Sequence, residues 1–303
     1  MTKAPPLRVL VTGAGGQLGQ ALAALAPQAR NAGVHLLPVS RQALDICAPA
    51  AVARQLDAEP VAAVINAAAY TAVDRAEAEP DAAERSNALG PRVLAEACRE
   101  RGIRLIQIST DYVFDGTKAA PYVEEDATRP LGVYGRTKLA GERAALGAPE
   151  AIVLRTGWVF SEFGHNFLQT MLRLGVEREK LAVVDDQLGG PTYAPAIARV
   201  LIRMLARRAP DTVLPGGIYH FGGTPAVTWY GFARAIFTAA HQRGLLPRLP
   251  ALTPITTAEY PTAAPRPADA RLDCRRLRTL LGTLDTDWRP GLAVALDARK
   301  PRS

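Results

Sequence analysis

The sequence predicts an α/β fold in which a doubly wound parallel sheet is followed by a smaller C-terminal α/β lobe. Short apolar segments alternate with amphipathic segments over the first half of the chain, as strands and helices do in such a sheet. Three glycines separate the first strand from the first helix, and the regular alternation loosens in the second half. With 303 residues, of which 48% are hydrophobic, the chain can bury a core of this size.

The first half contains four segments that are apolar on both faces, which is typical of strands covered by helices on each side. These predicted strands are Leu7–Thr12, Val34–Val39, Ala62–Asn66 and Arg104–Ser109. The spacing of apolar residues between them predicts helices over Gln17–Ala26, Ala50–Leu56 and Asp81–Arg101, the last ending at Gly102. Each crossover between neighbouring parallel strands should be right-handed.

The second half continues the alternation with looser spacing. The predicted helices are Tyr134–Ala145, Asn166–Leu174, Ala194–Arg207, Trp229–Arg243 and Arg271–Leu281. The predicted strands are Ala151–Arg155, Leu181–Val184 and Ile218–Phe221. The region from Leu246 to Pro267 is rich in Pro, Ala and Thr, so it should be mostly loop with room for one short edge strand.

Charge and composition argue against several classes of function. The net charge of +7 comes mostly from arginines spread over the predicted helices, whereas nucleic-acid binding calls for a basic stripe interleaved with aromatics. We therefore expect a small anionic substrate and no nucleic-acid partner. No segment reaches the roughly 18 continuous apolar residues of a membrane span, and Met1–Leu7 lacks an apolar secretory signal. The three cysteines show neither metal-site nor disulfide spacing, which favours a cytoplasmic protein with reduced thiols.

The glycine-rich turn after the first strand predicts a Rossmann-type dinucleotide site. Gly13 can turn the chain tightly, Gly16 lets backbone N–H groups approach a pyrophosphate, and Gly19 allows the helix to pack closely on the strand. The positive end of the helix then faces the phosphates. We therefore expect residues 1–160 to form an NAD(P)-binding domain that carries the catalytic residues. Residues 161–303 should form mainly a substrate lobe, with segments of about 181–220 returning to the sheet.

The residues after the second strand bear on the choice of cofactor. An acidic residue there would bind the adenosine ribose of NAD, whereas Arg or Ser suits the 2′-phosphate of NADP. Ser40 and Arg41 stand at this position, which favours NADPH while leaving NADH possible. Asp45 and the adjacent Ile46 are placed to reach the adenine, although Asp45 would equally suit a turn.

A Tyr-x-x-x-Lys pair predicts the catalytic groups. Tyr134 and Lys138 are spaced to lie on one face of a helix, one turn apart. A nearby ammonium should lower the pKa of the phenol, and the same Lys can hold the nicotinamide ribose. Thr110 follows the fourth strand, where a hydroxyl can bond a substrate carbonyl and assist protonation by the Tyr. A solvated helix face and a strand-end cap are the alternatives for these residues.

Longer segments resemble the extended short-chain dehydrogenase/reductases, and within them the dTDP-4-dehydrorhamnose reductase family. The resemblance covers nearly the full length and is most specific in motifs such as Asn66–Glu77, Ser109–Phe114, Leu154–Val159 and Asp186–Thr192. It implies reduction of the C4 ketone of a dTDP-bound 4-dehydro-6-deoxy sugar by NAD(P)H, as the last step of dTDP-rhamnose biosynthesis.

The resemblance also implies individual roles. Tyr134 would be the proton donor, Lys138 its partner and ribose ligand, and Thr110 would orient the carbonyl. The cofactor would be bordered by Gly13, Gly16, Gln17, Leu18, Gly19, Ser40, Arg41, Asp45, Ile46, Ala69, Tyr70 and Thr71. The substrate would be bordered by Thr110, Asp111, Tyr112, Trp158 and Asn166. Arg266 is our own candidate for the diphosphate, since Arg fits phosphate oxygens, although a surface loop Arg is equally compatible.

One departure from the family pattern bears on a metal and on the oligomeric state. Some members are dimers bridged by Mg²⁺ through glutamates, whereas this chain has Ala21 and Pro195 at the corresponding positions, so we expect no metal. A monomer and a homodimer both remain possible. A nucleotide-sugar epimerase on the same scaffold is one alternative activity. A non-catalytic NADP-binding subunit, like the regulatory subunit of methionine adenosyltransferase, is a second alternative.

Overall fold

A six-stranded parallel sheet forms the centre of the protein in a computed structural model that describes residues 5–207 and 214–299. The strands of the protein are β1 (Leu7–Thr12), β2 (Val34–Val39), β3 (Ala63–Asn66), β4 (Arg104–Thr110), β5 (Ile152–Thr156), β6 (Val159–Phe160), β7 (Lys180–Val184), β8 (Leu188–Gly189), β9 (Thr192–Tyr193), β10 (Gly217–His220), β11 (Val227–Thr228) and β12 (Ala251–Ile255). The strand order of the central sheet is β10-β5-β4-β3-β1-β2, so the chain winds outward in both directions from β1 and β3. The predicted doubly wound fold is confirmed.

Helices cover both faces of this sheet. They are α1 (Gln17–Ala24), α2 (Ala26–Asn31), α3 (Pro49–Ala58), α4 (Val73–Ala78), α5 (Pro80–Glu84), α6 (Gly90–Arg101), α7 (Val133–Ala145), α8 (Phe167–Glu177), α9 (Ala194–Ala206), α10 (Trp229–Gln242), α11 (Arg275–Leu281) and α12 (Trp288–Asp297). Side chains at alternate positions of a strand point to opposite faces of the sheet. Val9 and Val11 accordingly pack in a core cluster with α1 and α9, whereas Leu10 packs in a second cluster with α3 and α6.

Three predicted helices were wrong in their boundaries for identifiable reasons. The helix predicted over Gln17–Ala26 ends at Ala24, because Pro27 lacks an N–H and occupies the first turn of the separate helix α2. The helix predicted over Asp81–Arg101 consists of α5, a π-helical turn at Arg85–Leu89, and α6. The helix predicted from Arg271 begins only at Arg275, since residues 271–273 bond to the backbone of Tyr122. Helices α4 and α12 were not predicted.

The second half of the chain forms its own small sheets as well as one strand of the central sheet. Strand β10 pairs with β5 at one edge of the six-stranded sheet. Strand β7 pairs instead with β12, which lies in the Pro-, Ala- and Thr-rich region. Within the 181–220 segment that we expected to return to the sheet, β10 therefore joins the central sheet and β7 does not. Residues 208–213 lie outside the described part of the chain.

Candidate active site

The carboxyl ends of β1, β3 and β4 are joined by a row of buried polar side chains. The Thr12 hydroxyl donates to Asn66 Oδ1 at 2.6 Å, and Asn66 Nδ2 donates to Gln107 Oε1 at 2.7 Å. Gln107 Nε2 in turn donates to the Ile108 carbonyl at 2.8 Å. This row fixes the edge of the sheet at which open α/β folds gather their ligands.

The glycine-rich turn has the geometry that a diphosphate needs. Gly13 adopts a left-handed conformation with φ +72°, and a β-carbon there would lie 2.6 Å from the backbone of Ala67 and Ala68. A β-carbon at Gly19 would lie 2.3 Å from the Gly13 carbonyl oxygen, so the first helix packs directly on the turn. Gly16 caps α1 without a side-chain hydrogen bond, which leaves the first-turn N–H groups facing outward. The predicted phosphate loop therefore fits a dinucleotide.

Gln17 also ties the glycine loop to the second half of the chain. Its side-chain oxygen accepts hydrogen bonds from the Ser161 hydroxyl and from Asn166 Nδ2, each at 2.9 Å. Asn166 is 7% exposed, caps α8, and donates further to the carbonyls of Ser161 and Phe163. The amide of Asn166 thus holds the cofactor loop against the C-terminal half.

The residues after β2 form a turn beside an exposed arginine. The Ser40 hydroxyl accepts from the Ala43 N–H, whereas Arg41 is exposed. Asp45 accepts from the Cys47 N–H and from the Arg85 guanidinium, and these hydrogen bonds lower its pKa. Asp45 therefore stabilises the turn, which was one of the two roles predicted for it. Ile46 is buried against Gly90, where a β-carbon would lie 2.6 Å from its side chain.

The loop after β3 is held by a residue that sequence reasoning missed. Asn87, in the π-helical turn, accepts from the Tyr70 N–H at 2.8 Å and donates to the Tyr70 carbonyl at 3.0 Å. It also donates to the Thr137 hydroxyl at 3.1 Å on helix α7. Ala69 and Thr71 flank Tyr70 in this loop, and the Tyr70 phenol donates to Glu79 at 2.6 Å. The π-helical turn that places Asn87 is visible only in the structure, so no sequence signal indicated this residue.

The predicted catalytic side chains lie together. The Thr110 hydroxyl donates to Asp111 Oδ1 at 3.0 Å, and it acts to lower the pKa of the Tyr134 phenol. Lys138 lies one turn further along α7, is 4% exposed, and donates to the Ile108 carbonyl at 2.7 Å. Tyr112 packs edge-on against the Tyr134 ring, with ring centroids 5.5 Å apart. The Tyr134, Lys138 and Thr110 set is therefore assembled at the carboxyl end of β4.

Burial dominates the pKa values of these groups. Desolvation raises the pKa of Tyr134 to about 12, although the Thr110 hydroxyl opposes it. The expectation that Lys138 lowers this pKa is wrong for the protein without cofactor. Desolvation lowers the pKa of Lys138 to about 8, and Glu142 opposes this effect. Desolvation also raises the pKa of Asp111 to about 7, while hydrogen bonds from Thr110 and the backbone oppose it.

A small cavity adjoins Asp111 on the side of the C-terminal half. Its volume is about 230 Å³, and its lining includes Gly157, Gly190 and Arg271. Asp111 is packed so closely that a β-carbon at Gly157 would lie 2.0 Å from its carboxylate. The buried carboxyl group of Asp111 therefore lies between the Thr110 hydroxyl and this cavity.

Trp158 is held in an unusual backbone conformation beside this cavity. Its φ of +50° is left-handed, which is rare for a bulky side chain. Its ring stacks on Trp229 with centroids 3.5 Å apart and planes 3° apart, and the Trp229 indole donates to Gln187 at 3.1 Å. A β-carbon at Gly189 would lie 2.3 Å from the Trp158 ring. Trp158 is half-buried, so part of its ring surface remains accessible beside the cavity.

Arg266 already has a carboxylate partner. It donates to both oxygens of Asp74, at 3.0 Å and 2.7 Å, and to the Thr262 hydroxyl and the Ala264 carbonyl. Asp74 also accepts from the Ala264 N–H at 3.1 Å. This contact joins a loop of the C-terminal half to helix α4 of the nucleotide half.

No metal centre or membrane helix is found in the part of the chain that the structure describes. No three His, Cys, Asp or Glu side chains of residues 5–207 and 214–299 group together as metal ligands would. Ala21 and Pro195 do line one groove, but neither offers a ligand. None of the helices in these ranges is both long and apolar enough to cross a bilayer.

The parallel sheet, the glycine-rich phosphate loop and the Tyr-x-x-x-Lys helix define a Rossmann-type enzyme of the extended short-chain dehydrogenase/reductase class. Residues 7–300 match the family model of the RmlD substrate binding domain, and the chain belongs to this family. It is 45% identical over 286 residues to a dTDP-4-dehydrorhamnose reductase of Aggregatibacter actinomycetemcomitans, covering 94% of this chain and 97% of the relative.

Solved structures agree with this assignment. A dTDP-4-dehydrorhamnose reductase of Clostridium acetobutylicum superposes with a TM-score of 0.87 at 35% identity, covering 96% of this chain and 99% of the other. The enzyme of Bacillus anthracis, solved in complex with NADP, superposes with a TM-score of 0.84 at 35% identity and covers 97% and 98%. The family resemblance drawn from the sequence is confirmed.

Proposed function

We propose that this protein uses NADPH to reduce the C4 ketone of dTDP-4-dehydro-6-deoxy-L-mannose, which gives dTDP-L-rhamnose. The observation that carries the proposal is the assembly of Tyr134, Thr110 and Lys138 at the carboxyl edge of the sheet, beside the glycine-rich loop. The relatives that match over nearly the whole chain carry the name of this reductase.

The chain's own groups would manage the proton and the position of the ketone. With its pKa raised to about 12, Tyr134 holds its proton at neutral pH and can donate it to the oxygen of the ketone. The Thr110 hydroxyl would share that oxygen or support the phenol. The Lys138 ammonium, which is bonded to the Ile108 carbonyl, would hold the nicotinamide ribose. Bound NADPH would supply the hydride to the ketone carbon.

The binding roles follow from the same placement. Gly13, Gly16, Gln17, Leu18 and Gly19 would receive the diphosphate of the cofactor, as the outward-facing N–H groups of α1 support. Arg41, exposed after β2, would pair with the 2′-phosphate and so favour NADPH over NADH. The NADP complex of the related Bacillus anthracis enzyme agrees with this preference.

The nucleotide sugar would lie between the sheet edge and the second half of the chain. Asp111, Tyr112 and Trp158 would border the sugar, as the contact of Tyr112 with Tyr134 supports, and Arg266 would turn from Asp74 to the diphosphate. Residues 1–160 would thus serve mainly the cofactor and residues 161–303 mainly the substrate. We further propose a cytoplasmic enzyme, since all three cysteines are free thiols.

Replacement of the proton donor tests the proposal. Tyr134→Phe should retain NADPH binding but lose turnover of the 4-keto sugar by roughly 10²- to 10⁴-fold, because general acid catalysis contributes about that much. The matched control is Tyr219→Phe, which removes a buried phenol that bonds the Pro215 carbonyl away from the site. Near-normal turnover by Tyr134→Phe would remove Tyr134 from this role. Consumption of one NADPH per sugar supports a reductase, whereas turnover without net consumption would indicate an epimerase.

A further inference from the structure

Helix α7 carries a buried carboxylate, that of Glu142, in addition to the Tyr–Lys pair. Glu142 follows Lys138 at the same spacing by which Lys138 follows Tyr134, so the three side chains lie along one face of the helix. Glu142 is 1% exposed and Lys138 is 4% exposed. A carboxylate therefore sits one helical turn behind the proposed catalytic ammonium, in an interior that excludes water.

Strand β5 holds this carboxylate from the other side. Arg155 donates to Glu142 through two hydrogen bonds, at 2.9 Å and 2.7 Å, and both side chains are 2% exposed. The guanidinium lies over the Phe114 ring at 5.1 Å and is 3.5 Å from the His220 ring. The two-pronged contact leaves Glu142 little freedom to move along the helix.

Stability alone gives a weak reason for this ion pair. Removing two charges from water is costly, and well-packed apolar side chains of similar volume often stabilise a fold as well or better. Glu142 of this pair nevertheless follows Lys138 by one turn of helix α7. Its position therefore points to a role in the chemistry of the site.

We propose that the Glu142–Arg155 pair is a positioning device that keeps the Lys138 ammonium charged and in place. Glu142 supplies the compensating negative charge, and Arg155 holds that carboxylate where it acts on Lys138. The inference rests on the proposed function, because it assigns Lys138 a working role in the reductase.

The surrounding groups are consistent with this arrangement. The titratable and charged groups near this part of α7 are Tyr134 on the helix itself, Asp111 and Tyr112 after β4, Glu77 of α4, Arg155 of β5 and His220 of β10. Burial lowers the pKa of His220 to about 3, so His220 is neutral near pH 7. Burial lowers the pKa of Lys138 to about 8, and Glu142 is the group that opposes this fall.

The test is the pH dependence of turnover with NADPH and the 4-keto sugar. Glu142→Gln should move the midpoint of the alkaline fall in kcat to lower pH by about one unit. The reason is that the loss of a nearby negative charge lowers the pKa of the Lys138 ammonium by about that much. Glu142→Gln leaves Arg155 buried without a carboxylate, so the double variant Glu142→Met/Arg155→Met is measured beside it. The double variant removes both charges and should show a smaller shift in the same direction in a folded protein, because the positive charge of Arg155 is lost as well.

Two controls separate this role from a structural one. Arg155→Lys retains both charges but loses the two-pronged contact that holds Glu142, so it should lower the midpoint by less than Glu142→Gln does. Asp57→Asn removes a surface partner of Arg101 and should change neither the midpoint nor the stability. A purely structural pair would lower the amount of folded enzyme without moving the midpoint.

An unchanged midpoint in the folded double variant would overturn the proposal. Failure of the wild type to oxidise NADPH with this sugar would instead refute the proposed function. In that event, NADPH affinity measured by fluorescence against pH still reports the charge of Lys138, and the same shift between wild type and variants is expected.

Discussion

Replacing Asp111 by Asn should stabilise the protein at alkaline pH. The Asp111 carboxyl is 2% exposed, and burial raises its pKa from 3.8 to about 7. Because the folded pKa lies above the unfolded one, the stabilising contribution of the bound proton is fully present below pH 3.8 and is lost as the pH rises to about 7. Above that pH the folded protein carries a buried carboxylate that the unfolded chain would solvate.

The size of the effect follows from the two pKa values. The full difference of about 3 pH units corresponds to an upper limit of roughly 4 kcal/mol at alkaline pH. Between pH 5.5 and pH 8 the wild type loses about 2 kcal/mol of this contribution. Asn has no proton to lose, and any cost of its amide group is the same at both pH values. The stability advantage of Asp111→Asn over wild type should therefore grow by about 2 kcal/mol over this range.

Urea unfolding of both proteins at the two pH values measures this difference. We also expect turnover to fall about tenfold in Asp111→Asn, since an amide can accept from Thr110 but cannot exchange a proton with it. A stability difference that is identical at pH 5.5 and pH 8 would refute the reasoning. It would mean that Asp111 is ionised in the folded protein throughout this range.

Two further predictions concern the cofactor. Gly13→Ala should weaken NADPH binding at least about tenfold in a fluorescence titration, because its β-carbon would meet the Ala67 backbone at 2.6 Å; Gly102→Ala, with φ +65° and open space, is the matched control that should lose stability but keep its affinity. Arg41→Ala should raise the KM for NADPH about tenfold and leave that for NADH unchanged, since a charged hydrogen bond to phosphate contributes about that much. Equal changes for both cofactors would show that Arg41 does not bind the 2′-phosphate.

The parts of the fold that were predictable depend on local patterns. Strands such as Leu7–Thr12 and Val34–Val39 were predicted to the residue, because each is a mostly apolar segment between a polar or glycine-containing segment on either side. Helix α12 was not predicted, although Asp287 caps it through the Arg289 N–H. The partner of strand β7 could not be predicted either, because pairing with β12 depends on contacts some 70 residues apart in the chain.

The residues of the candidate site were likewise predictable only in part. Tyr134, Lys138 and Thr110 were predicted because each belongs to a short motif next to a recognisable strand or helix. Asn87 and Arg155 act through partners on other elements, and nothing in their local sequence indicates which side chain they will meet. The raised pKa of Tyr134 was missed for a related reason, since burial is a property of the folded protein and not of the motif.

The stacked indoles impose a constraint on how this enzyme can diversify. The Trp158 ring is confined between Trp229 on one side and the backbone of Gly189 on the other. A larger residue at 189 has no room unless the first indole is lost, so these two positions must vary together. Trimming either indole would relieve this constraint without forcing a backbone clash.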